Sequence, residues 1–264
     1  MQHLSLCPHA DCWAEPMQAR DSEIIHTMCG RYIRKSDKQR IAEAFHIRND
    51  ISTLAMPPDD YNIAPSTFQP VIRESKDEAG RELVMMRWGL IPFFTKQLSD
   101  LKGMSTINAR AETILSSPTW REPFQKRRCL VPVSGFYEWH KIDAKTRKPY
   151  VFTVADSSLF AFAGLWDAWK DPGGGWLQSF SIVTTEANEL MSSIHTRMPV
   201  ILHNRDYDRW LARDVTEQPP IDLLRPFESD EMEMEPANQA VGNVRNNGPE
   251  MLIGEPLVNT VSRP

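Results

Sequence analysis

The residue with the most unusual chemistry is a cysteine that directly follows a methionine, in Met28-Cys29. If the chain began at Cys29, this residue would carry an α-amine and a thiol on adjacent carbons. An α-amine has a pKa near 7.7–8.0, so roughly a tenth to a fifth of it is neutral at pH 7, far more than of a lysine. Such an amine is suited to imine formation with an aldehyde, and the thiol can then close a thiazolidine ring. An internal cysteine lacks this chemistry because its nitrogen is an amide, and Cys29 could equally be an ordinary buried cysteine.

Three further side chains could move protons or hold a substrate beside such a cysteine. Glu138 lies in the aromatic segment GFYEW, where burial would raise its carboxyl pKa towards the working pH of an acid/base catalyst. His195 follows the predicted helix Glu186–Ile194, whose C-terminus favours imidazolium while neighbouring Arg197 opposes it. Asn108 lies in a segment typical of a helix start or a loop. Taken singly, each of the three also fits a purely structural role.

A set of basic and aromatic residues could face nucleic acid, since cations contact phosphates and exposed aromatic rings stack on unpaired bases. From residue 28 to 150 the chain has 21 Lys and Arg against 14 Asp and Glu, whereas the remainder is strongly acidic. The alternative is a solvated basic face with the aromatic rings in the core. The set is Arg31, Arg87, Trp88, Phe93, Phe94, Lys96, Arg110, Arg121, Lys126, Arg127 and Arg128.

Composition restricts the class of protein. The chain has 264 residues, of which 41% are hydrophobic and 25% charged, typical of a globular domain with a full core. Its longest apolar run, Leu159–Trp166, is far shorter than the roughly 20 residues of a membrane span. Four cysteines do not make a disulfide scaffold, so we expect a reducing, cytoplasmic location without a signal peptide. Cys7, His9, Cys12 and His26 lack the spacing of a zinc site, and we expect neither a metal nor a cofactor.

The pattern of elements that must position these residues favours an α+β fold with an antiparallel, barrel-like sheet. Ser36–Gln39 has the form of a capping box that opens a helix, and another helix is expected after Asn204 as its cap. Residues 50–70 read as a proline-rich loop, Asp171–Gly175 as a tight turn, and residues 228–240 as a non-compact segment. Six strands are predicted, at Leu83–Trp88, Cys129–Val133, Phe136–Trp139, Tyr150–Ala155, Leu159–Trp166 and Leu177–Thr184.

Seven segments, in order, resemble the SOS response-associated peptidase (SRAP) family of abasic-site processing proteins. Any one segment is a weak signal, whereas seven in sequence are highly specific. They are Met28–Tyr32, Tyr61–Pro65, Arg87–Pro92, Ile107–Thr113, Gly135–Trp139, Ile194–Pro199 and Val241–Asn246.

The resemblance implies one α+β domain over residues 29–255, with an antiparallel β-barrel-like core and flanking helices, between an extension (1–28) and a tail (256–264). It also implies a protein, expected to be a monomer, that binds abasic single-stranded DNA. In that family's chemistry, Cys29 would form a thiazolidine crosslink with the ring-opened sugar and His195 would assist ring opening. Glu138 would be the acid/base in imine formation and crosslink reversal, and Asn108 would hold the sugar or the amine.

The DNA-binding residues that the resemblance implies are Arg31 and Arg110, which match phosphate-contacting positions, together with Asn62, Trp88, Phe93 and Phe94. The family usually has tryptophans where this chain has Phe93-Phe94. A strand-cleaving lyase activity through the imine is also implied.

The chain departs from the family in one respect, because 27 residues precede Met28 and leave the nitrogen of Cys29 acylated. We expect that Met28 is the true translation start, or that residues 1–28 are removed by self-cleavage. Two other functions stay open. One is a thiol peptidase that uses Cys29 with His195 as its base, and the other is a DNA-binding module without catalysis.

Overall fold

The computed structural model describes residues 29–75, 80–213 and 219–254. Within these ranges the chain forms thirteen strands and four short α-helices, linked by loops and 3-10 turns. The strands are β1 (Tyr32–Arg34), β2 (Asp60–Ile63), β3 (Phe68–Glu74), β4 (Arg81–Trp88), β5 (Asn108–Arg110), β6 (Arg128–Val133), β7 (Gly135–Lys141), β8 (Arg147–Val154), β9 (Phe160–Lys170), β10 (Trp176–Glu186), β11 (Arg197–Pro199), β12 (Ile201–Leu202) and β13 (Met232–Pro236). The helices are α1 (Lys38–Ala44), α2 (Arg121–Lys126), α3 (Glu189–Ser192) and α4 (Tyr207–Leu211).

Five strands close into a barrel in the order β10, β4, β3, β6 and β9, because β9 returns to pair with β10. Four of the five seams are antiparallel, and the seam between β4 and β10 is parallel. β9 and β10 join through the turn predicted at Asp171–Gly175. The predicted α+β class and barrel-like core are confirmed, with a parallel seam that the sequence pattern does not predict.

A second sheet, in the order β13, β8, β7, β1 and β2, is antiparallel throughout. It packs against the barrel strands. The Tyr32 ring lies 5.1 Å from the ring of Trp88 and 6.3 Å from that of Phe162, measured between centroids. All three residues belong to one central core that also contains Cys29. The junction between the barrel and the second sheet therefore positions the candidate nucleophile.

A second core lies on the helix-facing side of the barrel strands. In β6, Cys129 and Val131 point into the central core, whereas Leu130 belongs to the helix-facing core, as the alternation of side chains along a strand requires. Phe124 of α2 and Trp210 of α4 cover this side, and the Trp210 indole donates a hydrogen bond to the Cys129 carbonyl at 2.9 Å. The predicted flanking helices are thus present, although short.

Two predicted helices differ at their N-termini from the sequence pattern. Asp37, not Ser36, caps α1, because its carboxylate accepts the backbone N–H of Arg40 at 2.8 Å. The helix predicted over Glu186–Ile194 is reduced to α3, since β10 continues to its first residue and Asn188 supplies the cap. The capping side chains, rather than the spacing of apolar residues, set where these helices begin.

Three segments predicted without strands contain one. Residues 50–70 hold β2 and the start of β3. Pro70 has no N–H to donate, and it is tolerated because β6 pairs with β3 at Ile72 and not at Pro70. Asn108 opens β5 rather than a loop or helix, and residues 228–240 contain β13, which pairs with β8. In each case the pairing with a distant strand outweighs the local composition.

The predicted N-terminal extension, residues 1–28, and the predicted tail, residues 256–264, lie outside the described residues. The domain boundaries at residues 29 and 255 therefore stay predictions. None of the helices in the described ranges combines the length and the apolar character that crossing a bilayer demands.

Candidate functional site

The pairing of β1 with β7 brings Cys29 to Glu138. Tyr32 lies opposite Phe136, and the Tyr137 N–H donates to the Arg31 carbonyl at 3.0 Å. Because side chains alternate along β7, Phe136 and Glu138 share the face that looks into the central core. The backbone nitrogen of Cys29 donates a hydrogen bond to Oε2 of Glu138 at 3.1 Å. The two candidate catalytic residues, 109 positions apart, are thus in direct contact through the nitrogen that imine formation requires.

Glu138 is a buried acid, only 7% exposed. Burial raises the pKa of its carboxyl above the usual value, while the charge of His195 and the N–H groups of Cys29 and Trp139 oppose that rise. A carboxyl with a raised pKa exchanges its proton closer to neutral pH than an exposed glutamate does. Glu138 therefore has the environment of an acid/base group, as the sequence predicts.

The thiol of Cys29 is also buried, and burial followed by the negative charge of Glu138 raises its pKa well above the ordinary value. The Cys29 backbone has a φ of 44°, in the left-handed region that residues with a Cβ seldom adopt. The raised pKa of the thiol bears on the choice between an aminothiol mechanism and a thiolate mechanism.

His195 stands just after α3, where its N–H donates to the Met191 carbonyl at 2.9 Å. Its Nδ1 accepts the backbone N–H of Arg197 at 3.1 Å, which leaves Nε2 as the ring nitrogen available to another partner. Arg197 is itself fixed by an ion pair with Glu112 at 2.6 Å and by hydrogen bonds to Thr184. Glu112 was not among the predicted site residues, although it lies in the segment Asn108–Thr113 that contains Asn108 and Arg110.

Asn108 and Arg110 reach the same region through β10. The short β5 pairs with β10 in parallel, with Asn108 opposite Ile182 and Arg110 opposite Thr184. Arg197 of β11 pairs with Glu186, two residues further along β10 than the partner of Arg110. Asn108 is half-buried, as a polar residue that contacts a substrate inside the site would be. Arg110 is exposed, as a cation that contacts a phosphate at the surface would be.

Arg31 and Asn62 form one hydrogen-bonded unit with the loop that follows Val241. Arg31 Nη1 donates to Oδ1 of Asn62 at 2.8 Å and to the Val241 carbonyl at 3.1 Å. The Asn62 amide in turn donates to the carbonyls of Val241, Asn243 and Asn246. Asn62 is buried, with both polar ends engaged, so it positions Arg31 and the loop instead of offering an amide to DNA as predicted.

The aromatic residues divide into a buried and an exposed group. Trp88 is fully buried, stacks on Phe180 and donates its indole N–H to the Ile107 carbonyl, so the predicted contact of this ring with DNA is corrected. Phe93 and Phe94 are 54% and 52% exposed and meet edge to face at 5.4 Å. Asp167 accepts the backbone N–H of Phe93 at 3.0 Å and holds this loop on β9.

One group among the described residues has the composition of a metal site. His203, Glu228 and Glu231 place ligand atoms within 4.8 Å of one another. Glu228 is already held by His203 at 3.1 Å and by Arg225 at 2.8 Å, so hydrogen bonds and an opposing cation account for it without a metal. The four residues Cys7, His9, Cys12 and His26 lie outside the described residues.

Comparison with known proteins places this geometry in a family. The model of the SOS response associated peptidase (SRAP) family matches residues 28–244. The abasic site processing protein YoqW of Bacillus subtilis is 39% identical over 226 residues, 85% of this chain and 99% of YoqW. The mouse abasic site processing protein HMCES is 32% identical over 75% of this chain and 65% of its own. A crystal structure of a Bacteroides thetaiotaomicron protein superposes with a TM-score of 0.75 at 27% identity, over 86% of this chain and all of that one. The chain is thus a member of the SRAP family of abasic site processing proteins.

Proposed function

We propose that this protein captures abasic sites in single-stranded DNA by forming a thiazolidine between Cys29 and the ring-opened deoxyribose. The observation that carries the proposal is the 3.1 Å contact between the Cys29 nitrogen and the buried carboxyl of Glu138. In a chain that begins at Cys29, this nitrogen is an amine that attacks the sugar aldehyde. The carboxyl that it touches then has the position and the raised pKa needed to move protons during the attack.

The reaction runs in balanced steps. His195 assists opening of the sugar ring, which exposes the C1′ aldehyde. The amine adds to the carbonyl carbon, Glu138 supplies a proton to the departing hydroxyl, and water leaves to give an imine. The sulfur then bonds to the imine carbon while the thiol proton passes to the nitrogen, which closes the ring. Asn108 would hold the sugar or the amine during these steps, and Glu138 would also act as the acid/base when the crosslink reverses.

The same imine permits strand cleavage by elimination, which is the proposed lyase activity.

The proposal requires that Cys29 be the first residue. As an internal residue, Cys29 would have an amide nitrogen, which cannot form an imine. Translation from Met28, or self-cleavage after it, would uncover the aminothiol. Intact-mass measurement of protein from its native host should give a chain that begins at Cys29, and active protein that keeps the extension would overturn the proposal.

The DNA surface that we propose beside the buried Cys29–Glu138 site consists of residues of two kinds. Arg31 and the exposed Arg110 are the proposed phosphate contacts, and the half-exposed Phe93 and Phe94 are the proposed stacking rings. Unpaired bases can reach such rings, whereas a paired duplex keeps its bases stacked, which favours single-stranded DNA. Damaged single strands are thus the substrate class we propose.

The second candidate is a thiol peptidase with Cys29 as the nucleophile and His195 as its base. Reactive thiols of that class have a lowered pKa, which a neighbouring cation supplies. Here burial and the carboxylate of Glu138 raise the pKa of the Cys29 thiol instead. The environment of the thiol therefore does not favour a thiolate nucleophile, and we propose the aminothiol mechanism instead of peptidase chemistry.

The decisive test incubates protein that begins at Cys29 with single-stranded DNA containing one abasic site. We expect a covalent adduct on a denaturing gel without added reductant. Cys29→Ser should lose the stable adduct, and so should wild-type protein whose α-amine has been acetylated, since both the amine and the thiol are required. Cys129→Ser is the matched control, because this second buried cysteine lies in the same core and should leave the adduct unchanged. An undiminished adduct in Cys29→Ser would reject the mechanism.

A further inference from the structure

The hairpin formed by β7 and β8 carries an excess of positive charge next to the proposed pocket. Its outer part, residues 140–148, contains Lys141, Lys145, Arg147 and Lys148 but a single acid, Asp143. The three lysines are exposed, and the described residues offer none of them an ion-pair partner. Three exposed lysines without an ion-pair partner at one hairpin end are suited to binding a polyanion.

The acid in this hairpin does not neutralise the lysines. The carboxylate of Asp143 accepts the backbone N–H groups of Lys145 and Thr146 at 2.7 and 2.8 Å and so closes the turn. Those hydrogen bonds lower the pKa of Asp143. The hairpin end is therefore a hydrogen-bonded turn that presents cations to solvent.

Strand register connects this charge to Glu138. Glu138 pairs with Tyr150. Two positions further towards the turn, His140 pairs with Lys148, and the pair after that is Lys141 with Arg147. With a rise of about 3.3 Å per residue, His140 and Lys148 lie about 7 Å along the strands from Glu138. Because side chains alternate, His140 and Lys148 lie on the same face of the sheet as Glu138, whereas Lys141 and Arg147 lie on the opposite face. Lys148 thus continues the face of Glu138 outward, while Lys141 on the other face and Lys145 in the turn add charge at the same hairpin end, which we call the basic arm.

We propose that this basic arm binds the phosphodiester backbone of the DNA strand as the strand leaves the Glu138 pocket. The inference rests on the proposed function, because it assigns a place to the nucleotides that flank the captured sugar. The ligand is a run of phosphates, which lysines contact as point charges without reading the bases. The arm therefore adds affinity and salt dependence but no sequence preference.

The test measures non-covalent binding, so that it does not depend on the crosslink. The probe is a labelled single strand with a tetrahydrofuran analogue of the abasic sugar, which cannot open to an aldehyde. Replacing Lys141, Lys145 and Lys148 together with alanine should reduce affinity roughly tenfold to a hundredfold at about 0.1 M salt. The slope of log K against log salt should fall in magnitude by about 2, at about 0.7 for each lost phosphate contact.

The matched control removes three exposed cations from other surfaces, in the variant Arg40→Ala, Lys170→Ala, Arg205→Ala. It should keep the wild-type slope, and a triple Lys→Arg variant of the arm should restore affinity. A probe trimmed to one nucleotide on each side of the analogue should bind the arm variant and the wild type alike. Thermal melting of each variant checks that the fold is intact.

The outcomes separate the two proposals. If the arm variant matches the wild type in affinity and slope on the long probe, the arm proposal is wrong. The same holds if the control loses as much affinity as the arm variant. If the wild type binds the analogue but forms no adduct with natural abasic DNA, the crosslinking function fails while the arm is still judged by its own variant. A wild type that does not bind the probe at all overturns both.

Discussion

The Cys29–Glu138 site and the surface around Phe93 are built in opposite ways. The Cys29–Glu138 site is buried, and it is held by strand pairing between β1 and β7 and by a hydrogen bond from the backbone nitrogen of Cys29. The Phe93-Phe94 loop is half-exposed and is fastened to the barrel by single contacts such as the one to Asp167. The difference teaches that the proposed chemistry depends on desolvation and fixed geometry, whereas the proposed recognition depends on accessible rings and charges.

The largest expected effect is on the buried side, from Glu138→Gln. This change keeps the shape and one acceptor oxygen but removes the acid/base group, so the crosslinking rate at saturating DNA should fall roughly 100- to 10,000-fold. Affinity for the tetrahydrofuran analogue should stay unchanged, because the carboxyl is not a phosphate contact. Single-turnover gel assays measure the rate. A rate within a factor of two of the wild type would remove Glu138 from the mechanism.

A smaller effect, on affinity for DNA rather than on the crosslinking rate, is expected from the double variant Phe93→Ala, Phe94→Ala. Stacking contributes about 1–3 kcal/mol per base, so affinity for single-stranded probe should fall about 5- to 100-fold for one stacked base. The crosslinking rate at saturation should be preserved, in contrast to Glu138→Gln. Ile221→Ala is the control, since Ile221 is a 51% exposed apolar residue in the 3-10 turn Ile221–Leu223, after α4. Loss of saturated rate with affinity intact would contradict the division between pocket and surface.

The smallest effect is on stability, and its sign follows from the raised pKa of Glu138. The folded state holds this proton more tightly than the unfolded state, so the stability of the wild type relative to Glu138→Gln should fall as pH rises above 4.5, the ordinary value, through the raised folded value. Below the ordinary value the difference should be constant.

Glu112 supplies the opposite sign for the same measurement. Burial, the largest single influence, raises its pKa, but the hydrogen bond from Arg197, a backbone hydrogen bond and the charges of Arg197 and Arg110 together outweigh burial and lower it. Its contribution should therefore be present above the ordinary carboxyl value and lost as pH falls, so the wild type should lose stability relative to Glu112→Gln in acid. Chemical denaturation across pH measures both variants. Parallel curves for the two would show that Glu138 is not desolvated.

Local sequence predicts much of the barrel because its strands are rich in β-branched and aromatic residues and are separated by turn residues. Leu177–Thr184 and the turn Asp171–Gly175, for example, agree with β10 and the β9–β10 hairpin. Strands that depend on distant partners escape this reading. β5 is three residues long and exists because β10 offers it a parallel edge, and the acidic β13 exists because β8 pairs with it.

The site shows the same limit. The resemblance to a family named Cys29 and Glu138, but no periodicity predicts that β1 and β7 pair in the register that joins them. Trp88 and Asn62 illustrate the reverse error, because residue type suggested DNA contacts where burial gives a core ring and a structural amide. Burial is a property of the whole fold, so a single segment does not reveal it.

The central claim is that Cys29 captures the sugar through both its nitrogen and its sulfur. Mass spectrometry of the adduct with abasic single-stranded DNA, prepared without reductant and digested with protease, tests it directly. The account predicts an adduct on a peptide that begins at Cys29, with the summed mass of that peptide and the DNA less one water and no free thiol at that residue. An adduct on a lysine, one that survives only after borohydride reduction, or one on a Cys29 still joined to upstream residues would contradict it.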